Sequence, residues 1–152
     1  MGAVAGFSLA GLLISLALLA PSLLFARDLR EHAGVPGRVP PVLGLIERVG
    51  QVGCLVLAPL SGGAGRGAAW GVVVGVLVAG YYALWARYLA GGRRVEALYA
   101  PLGPVPVPMA LLPVLAFLTT AYWVGSWPLA LAAVVLAAGH LPVAWRSART
   151  AA

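Results

Sequence analysis

The chain has 152 residues and a mean hydropathy of +0.98, with 62% hydrophobic and 9% charged residues. A soluble domain is roughly 45–50% apolar and about 25% charged, so this chain has too few charged side chains to cover a water-facing surface. The composition therefore excludes an ordinary soluble domain and predicts a membrane protein.

Arginine supplies all the basic charge: ten arginines and no lysine stand against four acidic residues, a net charge of +6. In a membrane protein the positions of the basic residues indicate which loops face the cytoplasm, and an excess of them favours contact with anionic lipid headgroups. The arginines are scattered over separate loops, which argues against nucleic-acid binding. Cys54 is the only cysteine, so one chain cannot build a cysteine-based metal cluster. The Ala, Gly, Val and Arg bias suggests a GC-rich bacterial gene and hence a bacterial inner membrane.

Five apolar segments follow one another along the chain, each near the ~20 residues that a membrane-spanning helix needs. We predict an all-α bundle of five transmembrane helices in a single domain, with spans at about 3–25, 42–60, 68–88, 105–124 and 127–145. A cleaved signal peptide is the alternative for the first segment. It has no basic start and no cleavage motif before Arg27, which favours a true span.

Glycine and proline predict how these segments pack and turn. In the third segment Gly71, Gly75, Ala79 and Ala83 recur every four residues, a spacing that predicts close helix packing on that face. Pro113 should kink the fourth segment or free a backbone carbonyl for another partner. The very short turn after that segment predicts a tight antiparallel hairpin with the fifth.

The arginine distribution predicts the orientation. With the N-terminus outside, the cytoplasmic loops and tail carry eight arginines, and the outer side carries only Arg66. This asymmetry agrees with the positive-inside rule for five spans and a cytoplasmic C-terminus. The tenth arginine, Arg48, lies within the second segment.

Polar residues inside the second segment mark the candidate site. Read as a helix, Glu47 and Gln51 share a narrow face with Gly44, Cys54 and Ala58. Such groups are costly in a bilayer and usually face protein or a water-filled cavity. At the same predicted depth lie polar residues of the third and fifth segments. We expect a cytoplasmic-side pocket lined by Glu47, Arg48, Gln51, Tyr81, Tyr82 and His140.

Each of these residues also has a structural interpretation. Arg48 could extend to the headgroups along its long stem, and Glu47 could pair with it or with Arg87. The tyrosines could be interface anchors. His140 could be a packing residue, although an imidazole that titrates near neutral pH suits a proton relay. We expect Glu47 to point into the bundle and to touch the third or fifth segment.

Three functions fit this pattern. The first is a non-enzymatic protein that binds or transports a small molecule, ion or lipid at the pocket, without a cofactor or metal. The second is an accessory subunit of a larger membrane complex, or a homo-oligomer. The third is a lipid-headgroup enzyme, with Arg48 and Arg87 holding phosphate and Glu47 or His140 acting as base. The sequence contains no spaced catalytic motif.

Overall fold

The structure is a computed structural model that describes residues 6–25, 40–63 and 65–151. Within these ranges the chain is helical, with isolated bridges but no β-strand, which confirms the predicted all-α class. The helices are α1 (Leu9–Leu24), α2 (Pro41–Leu60), α3 (Ala68–Ala90), α4 (Val95–Tyr99), α5 (Pro108–Val124) and α6 (Trp127–Ala151).

Three of the helices, α2, α3 and α6, are long and apolar enough to cross a membrane, whereas α1 and α5 are shorter apolar helices of 16 and 17 residues. The start of the first predicted span and the loop with Arg27, Arg30 and Arg38 lie outside the described residues. The start predicted for α5, residue 105, was too early, since the helix begins at Pro108. Proline is tolerated in the first turn of a helix because the N–H that it lacks would have no helical partner there. At the other end of the chain α6 continues past the predicted end at Trp145.

The first helix is shorter than the predicted span because Ser8 caps it. The Ser8 hydroxyl accepts a hydrogen bond from the Gly11 N–H at 3.0 Å, as N-cap serines commonly do. Before the cap the chain is extended along the end of α2, where the Ser8 N–H donates to the Pro59 carbonyl at 2.7 Å. This pairing ties the start of α1 to the end of α2.

Helices α2 and α6 form the most extensive packing of the bundle, with glycines on both helices at the contact. A β-carbon added at Gly50 would collide with the backbone of Leu136, and one added at Gly139 would collide with the backbone of Glu47. Cys54, on the same side of α2 as Gly50, is fully buried. Small residues at such contacts let the two helix backbones approach each other.

The predicted packing face of α3 was wrong. Gly75, Ala79 and Ala83 are exposed, and a β-carbon at Gly75 would meet nothing within 4 Å. Of the two glycines on this face, only Gly71 lies against a neighbour, the Trp123 ring. The buried face of α3 carries large residues instead: Val74, Tyr81, Trp85 and Tyr88. The three aromatic rings of this face bury more apolar area than small side chains do. Helix α3 therefore turns this face toward α1 and α5.

The chain between α3 and α5 closes one end of the bundle. Gly92, Arg93 and Gly103 have positive φ angles of 78°, 58° and 57°, and these turns reverse the chain on both sides of α4. Leu98 in α4 and Val107 just before α5 are buried. The 91–107 segment therefore packs across the ends of α3, α5 and α6.

Candidate functional site

A cavity of about 180 Å³ lies between α1, α2, α3, α5 and α6, under the 91–107 segment. Most of its wall is apolar and comes from residues such as Leu18, Leu55, Pro113, Phe117 and Leu136. Polar groups enter it from five helices: Ser22, Gln51, Tyr81, Trp85, Tyr99 and His140. Apolar walls with a few convergent polar groups are typical of small-molecule sites.

Glu47 and His140 form the most polar contact beside this cavity. The Glu47 Oε1 lies 2.7 Å from the His140 Nδ1, and their side chains are 24% and 31% exposed. The contact forms at one of the close approaches of α2 and α6, where Gly139 lies against the Glu47 backbone. The expectation that Glu47 contacts another span is confirmed: the partner comes from α6.

Gln51 and Tyr81 line the same cavity as His140. Gln51 follows Glu47 by one helical turn, so both side chains lie on the α2 face that meets α6. The Tyr81 hydroxyl lies 3.4 Å from the Ser22 Oγ, and its ring meets the Trp85 ring edge-on at 6.3 Å between centroids. The structure thus brings Gln51, Tyr81 and His140 together in the cavity wall, and Glu47 contacts the imidazole of His140.

Three of the six predicted site residues, Glu47, Arg48 and Tyr82, are not in the cavity wall. Glu47 reaches the site only through its contact with His140. Arg48 is exposed, because one residue beyond Glu47 turns it about 100° around the helix. Tyr82 is 43% exposed, and its hydroxyl donates a hydrogen bond to the Ala17 carbonyl at 2.9 Å. Pro21 has no N–H to give to that carbonyl, so Tyr82 supplies the donor that α1 lacks.

Sequence reasoning missed three polar groups of the wall, contributed by Ser22, Trp85 and Tyr99. Trp85 is 5% exposed, and its indole N–H is buried with no hydrogen-bond partner in the described structure. Tyr99 belongs to a predicted loop, and only the folded 91–107 segment brings it to the cavity. Ser22 could have been found, since it is a rare polar residue near the C-terminal end of its segment.

Pro113 has the backbone effect that its position predicts. It lies inside α5, so the Met109 carbonyl lacks the N–H donor that a helix normally supplies four residues later. Met109 and Pro113 both line the cavity. The helical hydrogen bond that Pro113 cannot make therefore falls in the part of α5 that lines the cavity.

No arginine lines the cavity, and its ionisable wall residues are Tyr81, Tyr99 and His140. Within the described residues no three His, Cys, Asp or Glu side chains come close enough to hold a metal ion. This arrangement can enclose an apolar molecule and bond its polar end near His140. A comparison with protein-family models, curated proteins and solved structures gives no match for the chain.

Proposed function

We propose that this chain is a multi-pass membrane protein that binds a small amphipathic molecule in the cavity beside His140. The observation that carries this proposal is the composition of the cavity wall, which is apolar around most of its surface and polar at a few converging groups. A dry apolar cavity of about 150 Å³ already accommodates a benzene-sized molecule. The enclosed part of the ligand is therefore about one ring or a short chain in size.

The proposed topology has five spans, with the N-terminus outside and the C-terminus in the cytoplasm. At about 1.5 Å per residue, the shorter helices α1 and α5 are about 24–26 Å long, which is close to the roughly 30 Å hydrocarbon core. The cavity lies at the end of the bundle that carries Arg87, Arg93, Arg94, Arg146 and Arg149. By the positive-inside rule this end faces the cytoplasm, where the exposed arginines would contact anionic lipid headgroups.

Reporter fusions test this orientation. A fluorescent protein that folds only in the cytoplasm should be bright when fused after α6, and a periplasm-active phosphatase at the same point should be inactive. The turn between α5 and α6 should give the opposite pair of results. A phosphatase active after α6 would refute the orientation.

The lipid-headgroup enzyme receives no support from the site. Arg48 and Arg87, which were expected to hold phosphate, are both exposed and neither lines the cavity. Proteins that act on phosphate usually place arginine forks at the substrate. Simple binding, with or without transport across the membrane, fits the cavity better than phosphate chemistry does.

Filling the cavity tests ligand binding directly. Ala110 is buried and lines the cavity, so Ala110→Phe should occupy the space that the ligand needs. Ala79→Phe is the control, because Ala79 is exposed on α3. Both variants and the parent chain would be purified gently from native membranes, checked for equal folding by thermal melting, and examined by native mass spectrometry.

The expected result is a small molecule that copurifies with the parent chain and the Ala79→Phe variant and is lost from Ala110→Phe. Ala144→Leu, at a second buried wall position, serves if Ala110→Phe does not fold. Retention of the molecule in a folded, cavity-filled variant would refute the proposal. Copurification of a larger membrane protein with an empty cavity would favour an accessory subunit instead.

A further inference from the structure

We propose that the cavity selects a protonated amine on an apolar body, and that the amine competes with a proton for the Glu47–His140 pair. This inference rests on the proposed function, since it names the chemical class that the cavity would bind. It also makes binding depend on pH. The argument starts from the two nitrogens of the His140 ring.

The Glu47 contact determines which His140 nitrogen is available. The His140 Nδ1 lies 2.7 Å from the Glu47 Oε1. An ionised carboxylate can only accept a hydrogen bond, so with Glu47 ionised the Nδ1 is the donor of this bond. In the neutral ring the lone pair then lies on Nε2. Because His140 lines the cavity and its Nδ1 is occupied, Nε2 is the atom that can accept a hydrogen bond from a bound molecule.

The charges around the cavity favour a positive ligand. Glu47 places a carboxylate in contact with the imidazole, while no arginine among the described residues lines the wall. A carboxylate or phosphate ligand would meet this negative charge with no cation from the described part of the wall beside it. An ammonium group is attracted to it, can donate to Nε2, and gains from the aromatic faces of Tyr81, Trp85 and Phe117 that line the same space.

Protonation of the pair changes both its charge and its hydrogen bonding. With a neutral imidazole the pair carries one negative charge, and Nε2 is an acceptor. With an imidazolium the pair is neutral, and Nε2 carries a hydrogen that faces the ammonium group. When the ring starts as an imidazolium, an amine binds only after the Nε2 proton has left for solvent: that N–H bond breaks and its electron pair stays on Nε2. A neutral ring binds the amine without losing a proton.

Other titratable groups near the pair are few among the described side chains. On α2 the neighbour is Arg48, which is exposed; α3 contributes Tyr81 to the cavity and α4 contributes Tyr99. On α6 the nearest charge toward the C-terminus is Arg146, also exposed. The described parts of α1 and α5 contain no acidic or basic side chain. Among the described side chains, the Glu47–His140 pair is thus the pair whose protonation would change the charge beside the cavity.

Three probes with one apolar body separate the possible ligand classes: 4-phenylbutylamine, 4-phenylbutanol and 4-phenylbutyrate. Binding to the full chain in nanodiscs of zwitterionic lipid would be measured by calorimetry between about pH 5 and about pH 8, a range that brackets histidine titration. The amine remains protonated throughout, since alkylamines titrate near pH 10.4, roughly as lysine does. Empty nanodiscs correct for partition into the lipid.

The amine should bind most tightly at the upper end of this range and weaken by up to about tenfold per pH unit on acidification, the slope for release of one proton. The alcohol should show little pH dependence. The carboxylate should bind most weakly, and this comparison is made at the upper end of the range, where it is fully ionised. The signs for the amine and the alcohol follow from the charge of the pair at that pH.

Two variants and one control test whether the amine preference and the pH slope come from Glu47 and His140. Glu47→Gln keeps the side-chain shape and removes the charge, so the preference for amine over alcohol should fall by about tenfold or more. His140→Gln should abolish the pH slope. Arg48→Gln is the control: it changes one charge next to Glu47 at an exposed position and should leave both the preference and the slope unchanged.

The outcomes distinguish this inference from the proposed function. Equal affinities for amine and alcohol without a pH slope would overturn the inference and leave the proposed function standing. No binding of any probe above empty nanodiscs would overturn both. If Glu47→Gln fails to fold, the inference is tested by the pH slope of amine affinity in the parent chain and by the loss of that slope in His140→Gln. A slope that persists in His140→Gln would refute the Glu47–His140 pair as its source.

Discussion

The α-carbon of Gly139 lies so close to Glu47 that a side chain at position 139 would stand 2.6 Å from the Glu47 Cα. Real β-carbons are not found at such distances from backbone atoms, so glycine is required here for the contact between α2 and α6. His140 follows Gly139 directly. The same close approach therefore brings the His140 imidazole within hydrogen-bond distance of the Glu47 carboxylate.

Gly139→Ala should lower stability by about 1–3 kcal/mol, the usual cost of overpacking a tight contact. Gly75→Ala is the matched control, since a β-carbon there meets nothing within 4 Å, and its melting temperature should be unchanged or slightly higher because alanine favours helix. Thermal melting in one detergent measures both. Equal losses in the two variants would contradict the α2–α6 contact.

Glu47 should contribute to stability through His140 and not through Arg48. Glu47→Gln retains an oxygen that accepts from Nδ1 and should change the free energy of unfolding by less than about 1 kcal/mol, whereas Glu47→Ala should cost about 1–2 kcal/mol by removing the acceptor. Both side chains are partly exposed, so the larger loss expected of a fully buried ion pair does not apply. Reversible unfolding by a denaturing detergent measures these differences.

Arg48→Ala is the control for that series and should change stability by no more than about 0.5 kcal/mol, as exposed substitutions usually do. A loss in Arg48→Ala as large as in Glu47→Ala would mean that Glu47 pairs with Arg48 in solution. A negligible effect of Glu47→Ala would show that the contact with His140 adds nothing to stability.

Tyr82 should stabilise α1 through the carbonyl that Pro21 leaves without a donor. Tyr82→Phe removes the 2.9 Å hydrogen bond to Ala17 and should cost about 1 kcal/mol. In a Pro21→Ala background the residue 21 N–H can bond the Ala17 carbonyl, so the same Tyr82→Phe change should cost less. A double-mutant cycle followed by thermal melting gives the coupling between the two positions.

Tyr122→Phe is the control for the tyrosine hydroxyl. Tyr122 is half exposed, and its described contacts are made by the ring, with the Trp70 ring and with the Arg66 guanidinium. Loss of its hydroxyl should therefore leave the melting temperature unchanged. Additive effects of Pro21→Ala and Tyr82→Phe would refute the role assigned to the Ala17 carbonyl.

Sequence reasoning reached Glu47 and Gln51 because polar residues are rare in apolar segments and costly in a bilayer. It placed His140 at the same depth for the same reason. It could not choose the partner of Glu47: Arg48 and Arg87 were the expected ones, yet Arg48 lies on another face of α2 and both arginines are exposed. A choice between partners depends on helix rotation, which one chain segment does not encode by itself.

The spacing of the glycines likewise predicted which faces can pack closely but not which of them do. Small residues every four positions in α3 predicted a packed face, but Gly75 is exposed, whereas Gly50 and Gly139 lie in contact with neighbouring backbones. Spacing identifies faces that permit close approach. Which of them is used depends on the other faces of each helix, and in α3 the rings of Tyr81, Trp85 and Tyr88 turn the opposite side inward because they bury more apolar surface.

The sequence by itself determined the helical class, the apolar segments and the rarity of the polar residues within them, because these follow from composition and from the local conformational limits that proline and glycine impose. Only the tertiary structure decided that Glu47 bonds His140, that Arg48 and Tyr82 lie outside the cavity, and that Tyr99 reaches it. Those contacts depend on how helices far apart in the chain are rotated and how closely they approach. Rotation and approach are set by the packing of all side chains together.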